Sequence, residues 1–324
     1  MKMKVKFGAH IEPQLGYDYE TSLEIALEAE KIGFESFWCS DHLFLNQQSV
    51  NQNCIDAWTL LAALAVATKK IRLGTLVTCN SYRHPSLLAK IAATIDMISQ
   101  GRLWFGYGAG WKEEEYIAYG YPFPKIQVRM DMMEEALEII KLLWTEPSPS
   151  YKGKHYSIEK AFSAPKPVQT PHPPILIGGD GEKRTLKAVA KYADYCNLFM
   201  KPEFERKLDV LKKHCKDVGR EYDDIGKSMF AQAWPGVFVA KDEDELDQHW
   251  KKREEILGKT IEIRAEYTKA YAPGTWVGYP EEVIERFEYL ISLGFDFFQV
   301  MFPGIGADYI DAMKRFSDLV MKKL

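Results

Sequence analysis

Asp41 and His42 stand side by side directly after the apolar run "ESFWCS" (Glu35–Ser40). A carboxylate beside an imidazole at a strand end suits proton transfer, because each group can orient the other and tune its proton affinity. A second candidate is "ILIGGDGEKRTL", which puts Gly178, Gly179, Asp180 and Gly181, followed by Glu182, between a strand and a helix start. Backbone N–H groups in such a turn can cradle an anion with the help of the helix dipole, and Lys183 and Arg184 add positive charge nearby. No G-K-[ST] follows at the spacing of a nucleoside-triphosphate loop.

A third stretch, "GRLWFGYGAGWKEEEY", spaces Gly106, Gly108 and Gly110 two apart at the end of an apolar run. It is not a dinucleotide fingerprint. The third glycine of G-x-G-x-x-G would fall on Trp111. The acidic residue required about 20 positions later would be Asp131, which lies inside a helical pattern. The glycines instead mark a strand end that something approaches closely. In "NSYRHPSL", Arg83 reads as a residue that pins loops, with facing a ligand as the alternative. No metal centre is expected, since the seven histidines are scattered without H-x-x-x-H spacing, and no G-x-S-x-G nucleophile elbow occurs.

Short apolar runs alternate with helical patterns along the chain and would bring these residues together. Strands are expected at Val5–Ala9, Glu35–Ser40, Ile71–Thr78, "RLWFGYGAG", "PILIGGDG", "DYCNLFM", Met229–Ala240 and "FDFFQVMF", nearly all followed by helices. Asp56 is expected to cap the second helix, Gly33 to stop the first, and Pro85 to open the third. A helix with Met130, Met133, Leu137, Ile140 and Trp144 on one face reads as core packing. The rhythm breaks at about 146–172, where a small hairpin turning at Gly153 leads into a proline-rich connector, and again at about 254–279. Strict alternation means a parallel sheet buried by helices. Eight units fit a closed (β/α)8 TIM barrel in one domain better than the alternative, an open doubly wound sheet, and the barrel gathers the unusual residues at its C-terminal mouth.

The composition is that of an ordinary globular protein, with 46% hydrophobic and 27% charged residues in 324. A net charge of −4 argues against general nucleic-acid binding. Five cysteines without a C-x-x-C pair read as buried thiols of a reduced, cytoplasmic protein. The N-terminus "MKMKVKFGAH" goes straight into a strand with no apolar signal region, and no run is long enough to span a bilayer, so no membrane role is expected.

"RLGTLVTCNSYRHPSLLAKIAATIDMISQGRLWFGYGAGWKEEEYIAYGYPFP" resembles the luciferase-like monooxygenase superfamily, and most of all its coenzyme F420-dependent oxidoreductases; "PHPPILIGGDGEKRTLKAVAKYADYCN" and "GYPEEVIERF" match the same group. The resemblance implies a luciferase-like TIM barrel with an insertion segment over the mouth, a (deaza)flavin at the C-terminal face and, as in many relatives, a homodimer. It implies a bulge at Leu76, Val77 and Thr78, often with a non-prolyl cis peptide, that props the ring from behind. Gly108, Ala109 and Gly110 would line the cofactor and give it room, and Gly178 to Glu182 would hold its phosphate. Asp41 would contact the ring and His42 would handle the proton. Hydride would pass between the deazaflavin C5 and a small organic substrate. The alternatives are an FMN-dependent two-component monooxygenase and a non-catalytic flavin-binding protein whose mouth is blocked, for which Trp111, Tyr271 and Trp276 are the candidate plugs. The family's sugar-phosphate dehydrogenases carry a glutamate just after the glycine turn, where this chain has Trp111; Glu113, Glu114 or Glu115 is the candidate to stand in for it.

Overall fold

The structure is a computed structural model, and it describes residues 4–199, 203–231, 236–257 and 276–324. Helix and strand starts follow local chemistry. Helix α1 (Tyr19–Ile32) begins where the Asp18 carboxylate accepts from the Thr21 amide, and it ends at Gly33 in the left-handed region (φ +100°). Helix α2 (Ala57–Ala67) is capped in the same way by Asp56 on the Thr59 amide. Helix α3 (Pro85–Ile98) opens on its proline, whose missing N–H costs nothing in a first turn.

Strands β1 (Lys6–Ile11), β2 (Ser36–Cys39), β3 (Arg72–Thr75), β4 (Thr78–Cys79) and β5 (Leu103–Gly108) form the first half of the sheet. The expected third strand, Ile71–Thr78, is therefore two pieces. It breaks at Leu76–Val77, whose peptide bond is cis. After helices α4 (Glu113–Ala118) and α5 (Ile126–Thr145), β6 (Tyr151–Lys152) and β7 (Ser157–Ile158) make the expected antiparallel hairpin. The Glu135 carboxylate of α5 accepts from the amides of Lys154, His155 and Tyr156 and so pins the hairpin to that helix. No residue of 146–172 lines the cavity at the barrel mouth. Most of the second irregular stretch, with Tyr271, lies outside the described residues.

The second half contributes β8 (Ile175–Gly178), α6 (Thr185–Tyr192), β9 (Tyr195–Phe199), α7 (Phe204–Val218), β10 (Gly226–Ala231) and, near the C-terminus, β13 (Phe297–Met301). The expected strand Met229–Ala240 is not one strand. Its barrel part is β10, while β11 (Phe238–Val239) pairs instead with β12 (Val277–Gly278) away from the barrel sheet. The sheet order is β3-β2-β1-β13-β10-β9-β8-β5-β4, all pairs are parallel, and β3 also bonds to β5. The sheet is thus closed, with eight staves, one of them split between β3 and β4: a (β/α)8 barrel. Trp38, Trp104, Leu176, Phe230, Phe297 and Met301 fill its interior, and a larger apolar shell packs helices on the outside. No helix among the described residues is long and apolar enough to cross a membrane.

Candidate functional site

A cavity of about 640 Å³ opens at the C-terminal ends of the strands. Asp41, His42, Leu76, Val77, Thr78, Gly108, Ala109, Gly110, Gly178, Gly179, Asp180 and Gly181 all line it, although they come from four different staves of the barrel. Glu182 does not. Helix α6 starts only at Thr185, so Glu182 belongs to the turn, where its carboxylate pairs with Lys207 and Arg206.

The paired carboxylate and imidazole of the site are not the sequence neighbours. The His42 Nδ1 lies 3.0 and 3.1 Å from the two carboxylate oxygens of Glu115, in α4. Glu115 is fully buried and also accepts from the Tyr82 hydroxyl (2.6 Å), the Leu43 amide (2.9 Å) and the Lys112 ammonium (3.2 Å). Burial alone would push the Glu115 carboxyl up, but the hydrogen bond and charge of His42, the Tyr82 hydroxyl and the Leu43 amide overturn this and hold it at about 2. It is therefore a fixed anion that orients the ring and leaves Nε2 as the nitrogen available to a molecule in the cavity. Glu115 is the residue that reading the chain failed to single out. The signal for it was weak: Glu113, Glu114 and Glu115 are consecutive, and only the helical turn decides which of them faces inward.

Asp41 has a different partner. Its carboxylate accepts from the Arg83 guanidinium at 2.8 and 3.0 Å and from the Cys79 amide at 3.0 Å. Burial pushes its carboxyl up from the ordinary value, against the pull of Arg83. Arg83 also grips Asp56, the cap of α2, so it ties the loop after β2 to the loop after β4. The loop-pinning reading of Arg83 describes this geometry. The mutual tuning expected for Asp41 and His42 is replaced by two separate pairs.

A second acid–base cluster centres on Glu12, which reading the chain did not single out. The Glu12 carboxylate, which lines the cavity, lies 3.1 Å from the His10 Nε2, accepts from the Ser40 hydroxyl at 2.9 Å and is bonded by the Gln14 amide. Burial raises the Glu12 carboxyl, yet the bond and charge of His10 hold it below its usual range.

The glycines prove to be bare for the sake of the protein itself. A Cβ on Gly106 would sit 1.8 Å from the Thr75 carbonyl oxygen. One on Gly108 would meet the Val77 Cγ2 at 2.7 Å, and one on Gly178 would meet the Val77 Cγ1 at 2.9 Å. A Cβ on Gly110, which sits at φ +77°, would lie 1.9 Å from the Tyr116 hydroxyl oxygen. What comes close to this strand end is thus the Leu76–Val77 bulge and Tyr116. The glycines shape the cavity wall by letting Val77 nest between β5 and β8.

The wall fits a planar ring with an anionic tail. Leu76 and Val77 present an apolar ledge, and Gly178 to Gly181 and Thr185 form the turn into the N-terminus of α6, where backbone donors suit an anion. Arg184 adds less charge there than its position suggested, because it pairs with Asp131 and Glu134 of α5 at 2.7 Å each. Met130 and Met133, read as core, are buried but also line the cavity on the side of this turn. Of the candidate plugs, Trp276 is buried against Phe287, 4.8 Å between ring centroids, and does not line the cavity; Trp111 stands at its edge.

Comparison with known proteins agrees with this geometry. The profile of the luciferase-like monooxygenase family matches residues 1–296. The chain is 25% identical over 323 residues to an F420-dependent glucose-6-phosphate dehydrogenase of Microbacterium testaceum, covering 93% of this chain and 92% of the relative. It is 31% identical over 169 residues to an FMNH2-dependent dimethylsulfone monooxygenase of Pseudomonas putida, covering 52% and 46%. Mycobacterial relatives at 33% identity are matched over only 63% of their own length. Among solved structures, an F420-dependent secondary alcohol dehydrogenase superposes with a TM-score of 0.77 at 23% identity, over 98% of this chain and 99% of that one, a likeness of fold. A closed parallel barrel, a bulged third stave, a glycine-walled bowl and a profile match over most of the sequence all lead to one conclusion: this chain belongs to the luciferase-like monooxygenase family.

Proposed function

We propose that the chain is a coenzyme F420-dependent oxidoreductase in which His42, oriented by Glu115, handles the proton that accompanies hydride transfer to or from a small organic substrate. The observation that carries this reading is the His42–Glu115 pair at 3.0 Å, set in the same cavity as the Leu76–Val77 ledge and the Gly178–Gly181 turn. When bound, the deazaflavin supplies a carbon that accepts or donates a hydride. The Leu76–Val77 ledge would back its ring, and the Gly178–Gly181 turn would take its phosphate. His42 Nε2 then holds or releases the proton at the substrate oxygen, while the anionic Glu115 keeps the ring in one tautomer and orientation. Tyr82 and Lys112 hold Glu115 in place. Glu12, with His10 and Ser40 behind it, supplies a further polar contact on the cavity wall.

Likeness over 93% of the chain to an F420-dependent dehydrogenase supports the deazaflavin. Parallel titration of the purified protein with coenzyme F420 and with FMN tests the choice. Binding of F420, with slow reaction of the reduced complex toward oxygen, is expected. Tight FMN binding without F420 binding, and rapid oxygen consumption by the reduced complex, would reverse it in favour of a monooxygenase fed by a separate reductase.

A further inference from the structure

We propose that Trp111 is the specificity-determining wall of the substrate subsite, and that this subsite takes a hydroxyl- or carbonyl-bearing molecule whose reacting carbon carries a planar apolar group. The inference rests on the reading of His42 as the proton-handling residue. Trp111 lines the cavity, yet 71% of its surface is exposed. An indole left largely in water is unusual, since tryptophan normally buries most of its area. Its ring meets the His42 ring edge-on, with centroids 5.8 Å apart and planes at 84°. A molecule held at His42 is therefore flanked by the indole.

The ledge that carries Trp111 is held firmly on both sides. Gly110 before it is fixed in a left-handed conformation against the Tyr116 hydroxyl. Lys112 after it donates to the carbonyls of Phe44 and Leu45 and to the Glu115 carboxylate. Lys112 is also the one Lys or Arg among the described residues that line the cavity, and these bonds engage its charge. The recognition element beside His42 is thus an aromatic surface and not a free cation. Aromatic rings prefer planar partners in offset or edge-to-face contact, which selects a planar apolar group next to the reacting carbon.

The test uses the full chain labelled with 5-fluorotryptophan, with the Trp111 resonance assigned from Trp111→Phe. Benzyl alcohol is titrated in, with ethanol as a control that has the same hydroxyl and no ring. The Trp111 resonance should move saturably with benzyl alcohol, and far less with ethanol. Ligand-observed saturation-transfer NMR should find benzyl alcohol binding weakened about tenfold by Trp111→Ala and largely kept by Trp111→Phe, the scale of one aromatic contact. Both variants should bind cofactor as the parent does. A Trp111 resonance that stands still at high benzyl alcohol, or equal affinity in parent and Trp111→Ala, would overturn the proposal. The titration is run with and without added cofactor. Failure of the cofactor reading appears as no binding of F420 or FMN to the parent chain, whereas failure of this inference appears at Trp111 itself.

Discussion

His42 and Glu115 lie 73 residues apart in the chain, and their side chains meet at 3.0 Å on the wall of the barrel's cavity. The contact joins the loop after β2 to the helix after β5. A buried carboxylate that receives a phenol, an ammonium, an amide and an imidazole is a rigid anchor, and it fixes which nitrogen His42 offers to the cavity.

Two substitutions separate the roles of this pair. His42→Ala is expected to lower turnover by about 10²- to 10⁴-fold, the usual contribution of a positioned acid or base, and to leave cofactor affinity nearly unchanged. Glu115→Gln should lower kcat less than His42→Ala does, because an amide of the same shape still accepts from the His42 ring and keeps it oriented, while the carboxylate is lost. Unchanged turnover in His42→Ala would remove that residue from the chemistry.

Stability should also depend on Glu115 in a defined pH window. Its carboxyl is held at about 2 in the folded chain, below the ordinary value of 4.5. A depressed folded-state value stabilises the fold above the unfolded value, and that stabilisation is lost as pH falls from 4.5 toward 2. The Tm difference between parent and Glu115→Gln should therefore be largest near neutral pH and shrink below pH 4.5. A gap that is constant from pH 7 to pH 3 would contradict the assignment.

Arg83 is expected to matter for folding more than for chemistry. Arg83→Ala leaves the Asp41 carboxylate buried with only the Cys79 amide for company and frees Asp56 from its cross-link. The cost of breaking such a buried pair is about 3 kcal/mol or more, readable as a shift of the urea midpoint. A midpoint shift near zero would mean that the two loops are held by other contacts.

The glycine pattern makes a paired prediction. Gly108→Ala places a methyl against the Val77 Cγ2, an overpacking that costs about 1–3 kcal/mol, and Val77→Ala in the same chain should recover most of it. Gly106→Ala should resist rescue, since its obstacle is the Thr75 carbonyl, part of the backbone. Thermal melts of the four single and double variants decide the matter. Equal melting of Gly108→Ala with and without Val77→Ala would show that Val77 does not set the need for glycine.

Much of this protein was legible along the chain because its signals are local. Asp56, Pro85 and Gly33 mark helix ends through bonds and dihedrals that reach at most four residues. The alternation of apolar runs with helical faces requires a parallel sheet whatever the partners, and it places Asp41, Gly108 and Gly178 at strand ends. These cavity-lining residues were therefore identifiable as a group. Their pairing was not. Adjacent in sequence, Asp41 and His42 point to different partners, because consecutive residues at a strand end leave on opposite sides, and the partners, Arg83 and Glu115, are supplied by other loops. The glycine spacing was visible, but its reasons were not: the Thr75 carbonyl stands against Gly106, Val77 against Gly108 and Tyr116 against Gly110, and Val77 reaches β5 and β8 only where the chain breaks between β3 and β4. Barrel closure alone decides such contacts, since only it sets the distance between residues that covalent geometry leaves free.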